Sequence, residues 1–211
     1  QAANDLNKLV VVSAAAVDIE DADNIDIGSV TATSLTVDVA TLDISNSGPI
    51  VLTGAASFEA DTARNIIVAD TGNSFGANVV FIGEGGNLEN VSVFDTTAID
   101  IAPTADLDID GDLWVKSNGA ITQTNDLIVN NAETATFITT ATAGTPINLN
   151  GAANDFATST VFITSAGNTV LVTSTALELG TSSITGDFTL DIAGAPLTQA
   201  ASSIITITGT A

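Results

Sequence analysis

The sequence predicts an all-β protein, and more specifically a right-handed parallel β-helix (a β-solenoid) of about ten coils. Three observations lead to this prediction. Apolar and polar residues alternate in short runs, turn residues interrupt these runs every few positions, and the chain resembles itself at a long period. No apolar stripe with helical spacing extends beyond two helical turns, so no helix is expected.

The expected strands are alternating runs rich in Val, Ile and Thr. Ile25–Ile27, Leu107–Ile109 and Leu177–Leu179 each place an acidic residue between two aliphatic ones. Such alternation gives a strand one buried face, and β-branched side chains suit a pleated surface. Turn segments such as Ser117–Gly119 separate the runs, so we predict many short strands joined by tight turns.

The chain contains about two and a half copies of one module near 80 residues long. We predict a single β-solenoid over residues 1-211, with approximate module boundaries at 1-97, 98-175 and 176-211. The matching segments keep one order along the chain: Leu35–Val37 with Leu113–Val115 and Phe188–Leu190, Ala56–Phe58 with Ala135–Phe137, Asn73–Phe75 with Asn154–Phe156, and Val80–Ile82 with Val161–Ile163.

Two architectures fit a β-rich repeat of this length. In a β-solenoid of roughly 20 residues per coil, each module would form about four coils. The alternative is a series of tandem β-sandwich modules, each folding alone. The solenoid is favoured because the modules follow one another without a linker. The chain also has only eight Phe and one Trp, which suits a narrow core of small aliphatic side chains.

The composition excludes several classes of function. The chain has 25 acidic residues against 3 basic ones and contains no His or Cys. It therefore lacks the residues of a Ser-His-Asp or Cys-His site, an ordinary zinc site or a disulfide framework. Because these residue types are missing, we expect no enzymatic activity. Three cations cannot neutralise a phosphate backbone, so we also expect no nucleic-acid partner. The longest aliphatic run, Leu9–Val12, is too short for membrane insertion.

Two segments resemble a known group of proteins. Gly111–Gln123 reads Gly-Asp-Leu-Trp-Val and then Gly-Ala-Ile-Thr-Gln, and Asn154–Phe156 reads Asn-Asp-Phe. They resemble the degenerate repeats of large bacterial exoproteins, namely the filamentous-haemagglutinin-like and autotransporter-passenger adhesins. The resemblance covers nearly the whole chain and is one of repeat style. It implies a right-handed parallel β-helix that is extracellular or displayed on the cell surface, where it acts as a spacer or adhesive fibre.

An aspartate-rich run is the candidate metal site. On a single strand, the carboxylates of Asp106, Asp108, Asp110 and Asp112 would project from one face, repel one another and attract Ca²⁺. The alternative is a solvated acidic surface. A second acidic cluster occupies the matching place in the first module and comprises Asp18, Glu20, Asp21, Asp23 and Asp26.

Trp114 is the candidate partner contact. It alternates with the core positions Leu113 and Val115, so it is expected to point outward, where it would meet a neighbouring subunit or a glycan. Packing on a side loop is the alternative.

The leading functional hypothesis is a non-enzymatic extracellular segment of a surface fibre, filament or adhesin stalk. Because the end coils of a solenoid have free sheet edges, we expect head-to-tail self-association into a filament or continuation into a longer chain. A glycan- or host-protein-binding adhesin module, and a Ca²⁺-dependent matrix or surface-layer component, are the alternatives. No cofactor is required, and Ca²⁺ is the one candidate ion.

Overall fold

The structure is a computed structural model that describes residues 6–76, 78–102, 104–131, 133–140 and 144–210. These residues form a β-solenoid of about nine turns in which the paired strands are parallel, and they contain no helix. The predicted fold class is therefore confirmed, and the tandem β-sandwich alternative is not observed.

The number of turns is slightly lower than predicted because each turn uses more residues. Corner hydrogen bonds join residues 22 apart at Asn65 and at Thr134, and 27 apart where the Leu127 amide reaches Asn154. The prediction of ten coils assumed roughly 20 residues per coil. The additional residues lie in the corners, where the chain changes direction between strands.

The described residues form 22 strands. The strands are β1 (Lys8–Asp21), β2 (Ile25–Val39), β3 (Ile44–Asn46), β4 (Ile50–Leu52), β5 (Ala56–Asp61), β6 (Ile66–Val68), β7 (Val79–Glu84), β8 (Val91–Asp95), β9 (Ile99–Asp100), β10 (Leu107–Ile109), β11 (Leu113–Ser117), β12 (Ile121–Thr122), β13 (Leu127–Val129), β14 (Thr134–Thr139), β15 (Ile147–Leu149), β16 (Thr160–Ser165), β17 (Thr169–Val172), β18 (Leu177–Leu179), β19 (Ser182–Ile184), β20 (Phe188–Asp191), β21 (Leu197–Gln199) and β22 (Ile205–Ile207).

The strands stack into three faces. Face A continues from the start of β2 through β3, β6, β8, β11, β14 and β16. Face B contains β9, β12, β15, β17 and β20. Face C contains the end of β2 with β5 and β7, and then β10 with β13. The long strands β1 and β2 pass over all three faces, which joins the faces at the N-terminal end.

A continuous apolar core fills the solenoid, and it is less purely aliphatic than the sequence suggested. The largest fully buried side chains are phenylalanines. Phe58 packs edge-on against Phe75 with ring centroids 6.2 Å apart, and Phe137 packs edge-on against Phe156 at 6.5 Å. Edge-to-face packing is a favourable arrangement of aromatic rings. The matching segments of the sequence thus form matching pairs in the core.

Equivalent segments do not lie above one another. Leu35–Val37 is on face C, Leu113–Val115 is on face A, and Phe188–Leu190 is on face B. Leu35 and Leu113 are 78 positions apart, whereas corner partners on adjacent turns are 22 apart, as at Asp43 and Asn65. A module therefore takes about three and one-third turns, so the next copy is rotated by one face.

Candidate functional site

The aspartate-rich run does not form one strand, contrary to the condition on which the calcium prediction rested. Asp108 lies within β10, Asp106 precedes it, and Asp110 and Asp112 follow in the corner before β11. Gly111 is buried in this corner, where a side chain would collide with the Glu89 carbonyl oxygen. The corner turns the chain from face C to face A, so the four carboxylates do not form one row on a single strand.

Three of these carboxylates accept hydrogen bonds from neighbouring turns. The Asp126 amide donates to Asp106 at 3.1 Å, Asn87 Nδ2 donates to Asp110 at 3.0 Å, and the Thr134 amide donates to Asp112 at 2.9 Å. These bonds connect successive turns of the solenoid, which is a structural role.

Asp108 is the most confined of the four. Burial raises the pKa of Asp108, and the neighbouring carboxylates Asp106 and Asp110 raise it further. Within the described ranges, no three acidic side chains are arranged to hold a metal ion. Calcium binding at Asp106, Asp108, Asp110 and Asp112 stays a prediction, and thermal unfolding with Ca²⁺ or a chelator tests it.

The N-terminal acidic cluster is dispersed in the structure. Asp21 is buried and accepts a hydrogen bond from the Leu6 amide at 3.0 Å. Asp26 forms an ion pair with Lys8 at 2.9 Å. Burial opposes ionisation of Asp26, but hydrogen bonds from Ser47 and Lys8 outweigh it, so the pKa of Asp26 is lowered.

An acidic column links this cluster to later turns. Glu20 on β1 faces Asp38 on β2, and Asp38 faces Glu59 on β5. Burial raises the pKa of both Asp38 and Glu59, and neighbouring carboxylates raise each further. Like charges directly opposite on adjacent strands are destabilising. The column was not predicted, because it requires the register between turns.

A ladder of Asn and Asp side chains runs along the corner between faces C and A. Its members are Asn24, Asp43, Asn65, Asn90 and Asp112, which we call the corner ladder. Each joins the next turn: for example, the Asp43 amide donates to Asn24 at 2.8 Å, and Asn90 Nδ2 donates to Asn65 at 2.6 Å. Sequence reasoning missed this ladder. Its signal is an Asn or Asp directly before the first apolar residue of the first five face A strands, from the start of β2 to β11.

A groove lies beside the corner ladder on face A. It has a volume of about 540 Å³ and is lined by the ladder residues together with Ser45, Ile67 and Ser92. Ser45, Ile67 and Ser92 face one another on β3, β6 and β8, so they form one outward column. This volume lies within the range of small-molecule sites, about 300–1,000 Å³.

Trp114 is the next member of that outward column. It lies on β11 directly opposite Ser92, with its neighbours Leu113 and Val115 buried while Trp114 is half-buried. Nearby, the Lys116 ammonium sits 5.5 Å from the ring centroid of Phe94. Trp114 thus lies one strand beyond Ser92 of the groove lining, and its assignment as a partner contact stays a prediction.

The two end turns expose inward-facing apolar residues. Leu197 on β21 faces Leu177 on β18, yet Leu197 is 49% exposed and Leu177 only 1%. Ile205 and Ile207 on β22 are likewise half-buried although they face the interior. At the other end, β1 pairs with β2 alone, so its second edge carries no strand among the described residues.

A family comparison matches the chain in three successive segments. The family is described as repeats of unknown function (DUF5649), and the matched residues are 14–82, 88–162 and 166–211. Together these segments take in most of the sequence. The chain belongs to this family.

The DUF5649 family description establishes that the chain is made of repeats, but it assigns no activity to them. The module boundaries that we predicted from internal similarity stay a prediction. The same holds for the resemblance to filamentous-haemagglutinin-like and autotransporter-passenger adhesins. No curated protein and no solved structure matches the chain. Among the residues that the structure describes, no helix is long and apolar enough to cross a membrane.

Proposed function

We propose that this DUF5649 repeat protein is a non-enzymatic extracellular structural protein, a rod segment of a surface fibre, filament or adhesin stalk that associates end to end. The observation that carries the proposal is the exposed apolar interior at the C-terminal turn. Leu197 on this turn is 49% exposed, whereas its partner Leu177, one turn earlier, is 1% exposed. Another solenoid turn on this end, supplied by a second copy or by continuation into a longer chain, would bury these side chains and pair the strand edges.

The strand direction supports a head-to-tail contact. The strand pairs in the described ranges are parallel, so a neighbour that continues the same ladder must point the same way along the axis. Such a contact joins two different surfaces. It does not close on itself, and repetition of it produces a filament.

The charge distribution also supports a head-to-tail contact. Residues 1–112 contain 19 of the 25 acidic residues, and residues 113–211 contain 6. Joining two N-terminal ends would bring two strongly acidic regions together. Joining an N-terminal end to a C-terminal end separates them, which lowers the electrostatic cost of association, most clearly at low salt.

Electron microscopy and sedimentation velocity of the purified chain test this proposal. We expect rods whose length increases with protein concentration. The variant Leu197→Glu/Ile205→Glu places charges on the terminal turn and should give single short rods. The matched control Val51→Glu/Ile82→Glu changes exposed apolar side chains of the lateral surface and should still form long rods. Single short particles of the unmodified chain at high concentration would overturn the proposal.

A glycan-binding adhesin module is the second candidate function, and one observation favours it. Trp114, the single tryptophan of the chain, lies on the strand next to Ser92, which lines the groove beside the corner ladder.

A further inference from the structure

We propose that the groove on face A binds an uncharged polysaccharide chain, with Trp114 as the stacking platform at its end. The inference does not depend on end-to-end association, because the groove lies on the side of the rod.

The shape of the groove suits an extended ligand. Its lining includes one corner residue from each of five successive turns, from Asn24 to Asp112. Parallel strands lie about 4.8 Å apart, so the groove extends about 20 Å along the solenoid axis. An extended chain of several sugar units can follow this path and meet a similar set of groups at every turn.

The lining offers hydrogen-bonding groups that the fold leaves free. Asn24 and Asn65 use their side-chain oxygens within the corner ladder, and neither Nδ2 group donates to a described residue. The Ser92 hydroxyl likewise has no partner in the described part of the chain. Amide and hydroxyl groups pair well with sugar hydroxyls, which both donate and accept.

The aromatic end of the groove provides the apolar contact. Trp114 stands on a rigid strand between β8 and β14, where it faces Ser92 on one side and Thr136 on the other. Both of these neighbours are small, and Trp114 is half-buried rather than covered. A large amphipathic ring of this kind contributes strongly to binding at low conformational cost.

The charge of the groove selects against anionic ligands. Asp43 and Asp112 line it, and its described lining contains no lysine or arginine. Lys116 lies two positions beyond Trp114, but its ammonium is placed over Phe94. Sulfated and uronic-acid polymers would therefore be repelled, whereas a neutral polymer pays no such electrostatic cost.

Trp114 itself reports on the site, because it is the only tryptophan in the sequence. The full chain would be titrated with cellohexaose, chitohexaose and maltohexaose while the fluorescence of Trp114 is recorded. We expect a saturable blue shift with at least one of these neutral chains and none with heparin oligosaccharides. No shift with any neutral chain at millimolar concentration would overturn the proposal.

Variants measured by isothermal titration calorimetry locate the site. Trp114→Ala should weaken binding by about tenfold or more, and Trp114→Phe should recover part of the affinity. Ser92→Leu should block the groove while keeping the strand, as circular dichroism would verify. The control Ile82→Ala changes an exposed residue of face C and should bind normally. Unchanged affinity in Ser92→Leu, or a response to polylysine alone, would contradict a neutral-glycan groove.

Discussion

The N-terminal and C-terminal halves of the solenoid form the corner between faces A and B with different side chains. Where β8 ends, Asp95 occupies the buried corner between faces A and B. Ser117 faces Asp95 on the next strand, and Thr139 faces Ser117 on the one after that. Asp95 and Ser117 both accept a hydrogen bond from the amide two residues ahead, at 2.8 and 2.9 Å. The corner geometry is the same, and only the charge differs.

This difference shows that the corner requires a side-chain acceptor and not a carboxylate. Asp95 Oδ2 is buried and has no hydrogen-bond partner among the residues that the structure describes. Burial raises the pKa of Asp95, although hydrogen bonds from Thr97 and the Phe75 amide lower it in part. The hydroxyl groups of Ser117 and Thr139 fill the corner without this desolvation cost. Ser117 and Thr139 carry no ionisable group, so the pH dependence expected at Asp95 does not arise at their corners.

The aromatic pairs of the core give the largest expected effect. Phe58→Ala and Phe137→Ala should each lower the free energy of unfolding by about 3–5 kcal/mol, because each leaves a cavity in a packed core. Among the described residues, Phe58 packs against two aromatic rings, Phe75 and Phe81, whereas Phe137 packs against one, Phe156. Phe58→Ala should therefore cost more by about 1 kcal/mol. Urea unfolding measures both values, and a larger loss in Phe137→Ala would reverse the comparison.

The second-largest expected effect concerns the buried asparagines of the two halves, whose removal should lower the stability by different amounts. Asn73 Oδ1 accepts a hydrogen bond from the Ile50 amide at 2.9 Å, and Asn154 Oδ1 accepts one from the Leu127 amide at 2.8 Å. Asn154 also exchanges two hydrogen bonds with the buried Gln123 side chain. Asn154→Ala should cost about 2–4 kcal/mol, because it leaves the Leu127 amide and Gln123 unsatisfied.

The matched substitution Asn73→Ala provides the control. Asn73 bonds to Asn46, which is half-exposed and can turn to water, so the loss should be smaller than in Asn154→Ala. Equal losses in thermal and urea unfolding would show that Gln123 does not contribute.

Exchanging the corner residues tests the charge difference directly. Asp95→Ser should stabilise the protein at neutral pH by about 1 kcal/mol, and Ser117→Asp should destabilise it by a similar amount. Because the folded state raises the pKa of Asp95, the unmodified chain gains stability as the pH falls and loses it as the pH rises. The difference between Asp95→Ser and the unmodified chain should therefore shrink on acidification. A difference that does not change with pH would exclude this cause.

The acidic column should give the smallest effect. Asp38→Asn removes one charge between Glu20 and Glu59 and should raise the melting temperature by about 1–3 °C at pH 7. Since the pKa of Asp38 and of Glu59 is raised in the folded protein, the unmodified chain should melt at a higher temperature as the pH falls toward the carboxyl range.

Asp187 is the matched control, because its pKa is shifted in the direction opposite to that of Asp38. Hydrogen bonds from the Thr210 amide and hydroxyl lower the pKa of Asp187. Asp187→Asn should therefore lower the melting temperature at pH 7, and this loss should disappear on acidification. Scanning calorimetry across pH separates the two carboxylates, and a shift in the same direction for both variants would count against the column.

The alternation of the sequence predicted the all-β class and, in strands such as β11, which residues face the core. Leu113, Trp114 and Val115 are buried, half-buried and buried, as period two requires. The all-β class and the solenoid follow from the same pattern together with internal similarity. The Phe58–Phe75 and Phe137–Phe156 pairs were visible as matching segments, but not as contacts.

The relations between turns could not be predicted from the sequence. The acidic column, the corner ladder and the groove each combine residues about one turn apart, so they depend on a register that alternation alone does not fix. The aspartate-rich run shows the same limit. Its period-two spacing suggested one strand, whereas β10 ends at Ile109 and the chain turns through a corner at Gly111, where a side chain would meet the Glu89 carbonyl oxygen.

The rotation of each module by one face has a consequence for any partner larger than a single module. Trp114 lies on face A, while its counterparts Thr36 and Thr189 lie on faces C and B. In a longer array of such repeats, corresponding residues would wind around the rod as a slow spiral and point the same way again only after three modules, a rise of about 50 Å. A flat surface lying along one side would meet widely spaced, identical patches, whereas a fibre that wraps the rod would meet them continuously.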